Sequence, residues 1–180
     1  MKKRRQRIVG RPFVEFVFMV HVHEIERLLS ISAQQKRSRD AEIVNRAAVV
    51  FLMAVWQTYV EALADEAFTH RLSTPSAEKI DALFERVHGI KGISQSWKWR
   101  GMTADRARQR LGQILTLRHQ IAHKAKVKGS VRRSTVVRDL HFVHRLAVCL
   151  YNAAARHIAI RRGDALPHRV SYSGKIGEFG

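Results

Sequence analysis

Cysteine is almost absent. Cys149 is the single one in 180 residues, so no intrachain disulfide can form, and a reducing compartment, the cytoplasm, is the expectation. No uninterrupted run reaches the roughly 18 apolar residues of a bilayer span. No stretch alternates apolar and polar residues as a half-buried strand does, and no internal repeat is present. Acidic side chains are scarce in one half only. Residues 1–85 carry 13 basic and 11 acidic groups, whereas residues 86–180 carry 20 and 4. Of the net charge of +18, the second half therefore carries +16. A field of that sign and size selects for a polyanion, and nucleic acid is the expected one.

What remains is helical periodicity. Residues 1–11 read as a basic N-terminal arm, residues 12–162 as one helical bundle, and residues 163–180 as an unstructured tail. The arm precedes an apolar run, but Glu15 interrupts that run and no small-residue cleavage site follows, so an export signal is not expected. The spacing predicts a first helix from Pro12 to Ser30 and a second from Asp40 to His70. The centre of the second, Ala47–Trp56, is apolar on every side, which implies burial all round, in the core or against a second subunit. Farther along it, Trp56, Tyr59, Val60 and Leu63 recur at helical spacing with Glu61 beside them. A third helix, capped by Thr74-Pro75, should run to Val87 and stop at Gly89. Thr103 should cap a fourth, and Thr135 to Arg162 a fifth. The expected fold is an all-α bundle of about five helices.

The fourth helix carries the most unusual stretch, Leu111 to Lys124. At about 100° per residue, Leu111, Ile114, Leu115, Ile121 and Ala122 form one apolar stripe, and Arg118 falls in its middle. A guanidinium cannot give up its proton, so on a buried face it needs anionic or strongly polar partners. Glu61 and Asp65 are candidates for a purely structural pairing. His119 and His123 lie one turn apart and flank the arginine. Such breaks in core design are expected at functional sites. Directly after His123, the cations Lys124, Lys126, Lys128, Arg132 and Arg133 suit a phosphate backbone. Between the third and fourth helices, Trp97 and Trp99 alternate with Lys98 and Arg100. That pattern fits base stacking with phosphate contact, and equally two tryptophans folded back over the core. His119 and His123 also have zinc-ligand spacing. Gln120, however, replaces the glutamate a zincin needs, no third ligand is near, and Arg118 would repel a cation, so neither metal nor other cofactor is expected.

The sequence Arg118-His119-x-x-x-His123, on the fourth of about five helices, resembles the signature of the HEPN superfamily: an arginine, a polar residue, and a histidine four to six positions beyond. The Trp56–Leu63 helix is similar to the aromatic-acidic helix of the RiboL-PSP-HEPN branch. The resemblance spans about Ala41 to Arg162. It implies a small helical bundle that pairs as a homodimer with the two Arg/His motifs facing one another. It also implies a metal-independent endoribonuclease serving as a toxin or antiviral effector, with a cognate antitoxin protein as a further partner. Arg118, His119 and His123 would then be the catalytic residues, with Glu61 in support. Some such toxins carry a tyrosine two residues after the histidine; here that position is Ala125. Two other stretches satisfy the loose pattern, Arg138 to His144 and Arg162 to His168. The latter crosses Gly163 and Pro167, and Arg138 does not centre an apolar stripe. The alternative from a different class is a non-catalytic module of the same shape that binds RNA or a partner protein.

Overall fold

The computed structural model describes residues 11–64, 72–124 and 129–172, and the side chains of 18–64, 72–123 and 129–172. Five α-helices appear in chain order: α1 (Arg11–Gln34), α2 (Ser38–Ala64), α3 (Ala77–His88), α4 (Ala104–Lys124) and α5 (Arg133–Arg162). A short 3₁₀ turn, Ile93–Ser96, lies between α3 and α4. Among the described residues no strand is present beyond one isolated bridge, Trp99 to Met102. The protein is an all-α bundle, as its periodicity predicts.

Helix α2 is the axis of the bundle and packs against each of the other four. Ala48, Val49, Leu52, Met53, Val55 and Trp56 are all buried. The apolar centre is thus mostly used within one chain. Ala47 and Ala54 are exposed, and Val50 and Phe51 are half-buried, so burial all round does not hold. By length and composition α2 could cross a membrane, contrary to the sequence expectation, but 67% of its apolar window is covered by the bundle. That coverage is the pattern of a core helix.

Polar groups inside the bundle tie its layers together. Ser32 Oγ donates to Asn45 Oδ1 at 2.8 Å, and Asn45 Nδ2 donates to the Val131 carbonyl at 2.9 Å. This links α1, α2 and the segment that leads into α5. Tyr59 Oη donates to the Ala147 carbonyl at 2.9 Å, joining α2 to α5. Asp81 accepts from the Ser94 N–H and hydroxyl, both at 2.7 Å. Arg108 Nε donates to Ser94 Oγ at 2.8 Å. The 3₁₀ turn is thereby clamped between α3 and α4.

The caps differ slightly from expectation. Ser76, not Thr74-Pro75, caps α3, with extended backbone and its hydroxyl facing the Lys79 N–H at 3.5 Å. Pro75 instead offers its carbonyl to Trp56 Nε1 at 3.3 Å. Thr103 caps α4 as expected, at 3.3 Å from the Arg106 N–H. Gly89 and Gly163 end α3 and α5 in left-handed backbone, φ 71° and 69°, where a side chain would be strained.

The segment past Gly163 departs from the expected unstructured tail, because residues up to Tyr172 return along α5. Asn152 and Val170 exchange two hydrogen bonds of 2.9 Å. The Tyr172 ring lies 5.1 Å from that of His144, and Arg145 stacks over it at 4.5 Å. Residues 173–180 lie outside the described residues, as do residues 1–10 of the basic arm and the predicted end of α2 at residues 65–71, Asp65 included.

Candidate functional site

The apolar stripe of α4 fades toward its C-terminal end. Leu111, Ile114 and Leu115 are buried. Leu117, Arg118 and Ile121 are half-buried, and Ala122 is exposed. Arg118 continues the line of Ala107 and Leu111, eleven and seven residues earlier and both fully buried, to the place where the bundle opens to solvent. Its aliphatic stem can cover apolar surface there while the guanidinium reaches water or a ligand.

His119 and His123 are both exposed. Their ring centroids are 4.5 Å apart with the planes tilted by 45°, as one-turn spacing dictates. Two imidazoles and a guanidinium thus share the last turns of one helix. This group offers proton donors and acceptors beside a fixed positive charge. On an ideal helix Arg118 lies about 100° and 140° round the axis from the two rings, so a phosphate meets all three only when the long guanidinium stem bends toward them.

Glu61 is not at the surface. It is 3% exposed, and its Oε1 accepts from the Leu72 N–H at 2.7 Å and from Gln57 Nε2 at 3.1 Å. Gln57 also donates to the Leu72 carbonyl. These bonds fasten the approach to α3 onto α2. The aromatic residues beside it are core: Trp56 stacks on Tyr59 at 6.0 Å and meets Trp97 edge-on at 6.1 Å.

The 97–100 stretch is corrected by the structure. Trp97 is fully buried, so it has no face to offer a base. Trp99 is half-buried, 6.0 Å from Phe142, with the Arg145 guanidinium carbon 5.7 Å from its ring. The chain turns tightly here, with the Lys98 N–H bonded to the Ser96 carbonyl at 2.8 Å and Trp99 paired with Met102, and this turns Trp97 into the core and leaves Lys98 and Arg100 exposed. The tryptophans are folded back over the core, Trp97 fully and Trp99 in part, and the two cations are exposed.

The basic segment after α4 is partly visible. Lys126 and Lys128 lie outside the described residues, as does the side chain of Lys124. Arg132 and Arg133 are exposed, though Arg133 Nε donates to the Leu29 carbonyl at 3.1 Å, at the end of α1. With the Asn45–Val131 bond, this contact fixes where the segment rejoins the bundle.

The rival pattern, Arg138 to His144, is split by the fold. Arg138 is exposed, but burial lowers the pKa of His144 to about 4, with His141 adding to the effect. His144 Nδ1 is buried without a hydrogen-bond partner. His168 lies past Gly163, in irregular chain. Among the described residues no group of three His, Cys, Asp or Glu is placed to hold a metal ion.

A feature the sequence reading missed is a cleft of about 540 Å³ between α4, from Arg106 to Leu117, and the start of α5. Arg106, Arg110 and Arg138 line it. Arg110 donates to buried Asp139 at 3.0 Å and stacks over Phe142 at 4.9 Å. Burial raises the Asp139 pKa, against the opposing pull of Arg110. Arg106 and Arg110 share a helix face at i, i+4 spacing, which was the available signal; that Arg138 meets them depends on how α5 packs.

No family model matches the chain, and neither a curated protein nor a solved structure does.

Proposed function

We propose that this protein is a metal-independent endoribonuclease with its active residues at the C-terminal end of α4. The observation that carries the proposal is the exposed pair His119 and His123, rings 4.5 Å apart, beside half-buried Arg118. An imidazole is suited to moving protons near neutral pH, and the guanidinium fork suits the charge that builds on phosphoryl oxygens. In the proposed step the RNA 2′-hydroxyl loses its proton to an imidazole, and its oxygen bonds to the adjacent phosphorus. The bond from phosphorus to the 5′-oxygen breaks, and that oxygen takes a proton from an imidazole. The products are a 2′,3′-cyclic phosphate and a 5′-hydroxyl. His123 is assigned the proton transfers, Arg118 the oxyanion charge, and His119 the orientation of phosphate or of the second ring.

The net charge of +18 supports a polyanionic substrate. Exposed Lys98, Arg100, Arg132 and Arg133 are assigned to the RNA backbone, together with Lys124, Lys126 and Lys128. Pairing of two copies through this end of the bundle would bring two Arg118/His123 sets to one substrate, and a toxin or antiviral role with a cognate neutralising protein follows from the same reading. The test is a paired assay in EDTA. An RNA oligonucleotide should be cut and its 2′-deoxy counterpart left intact. Equal cutting of both would exclude the mechanism, and binding of RNA without any cutting would favour the non-catalytic module.

A further inference from the structure

The cleft between α4 and α5 is chemically distinct from the end of α4. On an ideal helix at 100° per residue, its centre on α4 is turned about 100° or more from His119 and His123. It is lined in part by three guanidinium groups and one carboxylate, and that carboxylate is already committed: Asp139 is 5% exposed and bonded to Arg110. Arg110 is held from two sides, by Asp139 and by the Phe142 ring. Arg106 and Arg138 stand exposed at the rim. Arg138 contacts the Thr135 hydroxyl at 3.4 Å, and among the described residues no acidic side chain other than Asp139 lines the cleft. The local balance is therefore strongly positive, and the most rigid cation sits at the base of the group.

The remaining lining is of two kinds. Half-buried Leu117 and the exposed edge of Ile114 give an apolar wall, and Gln109 and Gln113 contribute side-chain amides that can both donate and accept. A simple anion would use the arginines and leave the rest idle. A ligand with a phosphate, a flat apolar face and a polar edge would use all three. The volume falls in the range of about 300–1,000 Å³ usual for small-ligand sites.

We propose that this cleft binds a ribonucleotide unit, its phosphate held by Arg106 and Arg138, its base against Ile114 and Leu117, and its base edge read by Gln109 and Gln113. The unit can be a free mononucleotide or one residue of an RNA strand; the recognition chemistry is the same. The site is independent of whether the α4 end cuts RNA.

Calorimetric titration of the full chain tests it with four probes: inorganic phosphate, adenosine, adenosine 5′-monophosphate and a short oligoadenylate. The monophosphate should bind at least tenfold more tightly than either phosphate or adenosine. The double variant R106Q/R138Q should weaken it tenfold or more, while R39Q, an exposed arginine on α2, should leave it unchanged. Arg106 and Arg138 are exposed, so circular dichroism should show an intact fold; Arg110 is spared because its loss would strand Asp139. Binding of the oligoadenylate alone, weakened by the double variant, would assign the site to a strand residue. Phosphate binding as tightly as the monophosphate, no probe binding, or no effect of R106Q/R138Q would each overturn the proposal. Cleavage is scored separately with His123→Ala, so a protein that binds nucleotide here yet never cuts RNA refutes the nuclease reading alone.

Discussion

Two stretches of this chain carry an arginine, a polar neighbour and a histidine downstream, and the fold treats them in opposite ways. At 118–123 the helix is running out of bundle, so His119 and His123 are exposed and Arg118 is half-buried. At 138–144 the helix is entering it. Arg138 faces solvent, and His144 lies under Tyr172 with its ring 5.6 Å from that of Phe18. The same loose pattern, with the histidine five positions on in one case and six in the other, thus yields an exposed imidazole pair at 118–123 and a desolvated ring at 138–144. Spacing fixes which side chains share a face; position along the bundle decides whether that face meets solvent.

The sharpest way to break this comparison is to remove each histidine. His123→Ala should lower RNA cleavage by about 10²–10⁴-fold, the usual worth of a positioned acid–base group. His144→Phe should leave cleavage unchanged, because the half-buried ring packs between Phe18 and Tyr172. Single-turnover rates on one RNA check both, and the reverse outcome would move the site to α5.

A second contrast concerns the tryptophans. Trp97→Ala should cost about 3–5 kcal/mol of stability, as expected for emptying a fully buried aromatic site. Urea unfolding reads this directly. If RNA affinity of the folded fraction also collapsed, Trp97 would have to reach the ligand after all.

His144 gives the pH arm. Its folded pKa, about 4, lies below the ordinary 6.5, so between those values the unfolded chain binds more protons than the folded one. The associated stability is present above pH 6.5 and drains away as the pH falls toward 4. The full difference is worth about 3 kcal/mol. Unfolding free energy measured across that window should fall for the natural chain and fall less for His144→Phe. Equal slopes would contradict the burial argument.

The smallest effect expected is at Asn45. Its loss to alanine leaves the Val131 carbonyl without its partner and Ser32 Oγ with only the 3.3 Å bond to the Ala41 carbonyl. The cost should be about 1–3 kcal/mol. Hydrogen exchange should show faster opening around Val131 than around α3.

Much of the fold was legible because helix phase and caps are local. Thr103, Gly89 and Gly163 mark ends that the structure keeps, and the fifth helix begins two residues early, at Arg133. The site was legible in part. The position of Arg118 in line with Ala107 and Leu111 follows from a single helix. The burial of Trp97, the inward turn of Glu61 and the return of Tyr172 onto α5 do not, since each depends on a partner distant in sequence. Trp97 is buried against Trp56, forty-one residues earlier. Glu61 is fixed by the Leu72 N–H, across the connection to α3. The three-arginine cleft escaped for the same reason.

The central claim is that the α4 end cuts RNA through the substrate's own 2′-hydroxyl. The most direct measurement is the chemistry of the ends left after digestion in EDTA by the natural chain and by His123→Ala. Fragments ending in 2′,3′-cyclic phosphate and 5′-hydroxyl, formed by the natural chain and not by the variant, are the predicted result. Fragments carrying 5′-phosphate, or the same fragments from His123→Ala, would contradict it.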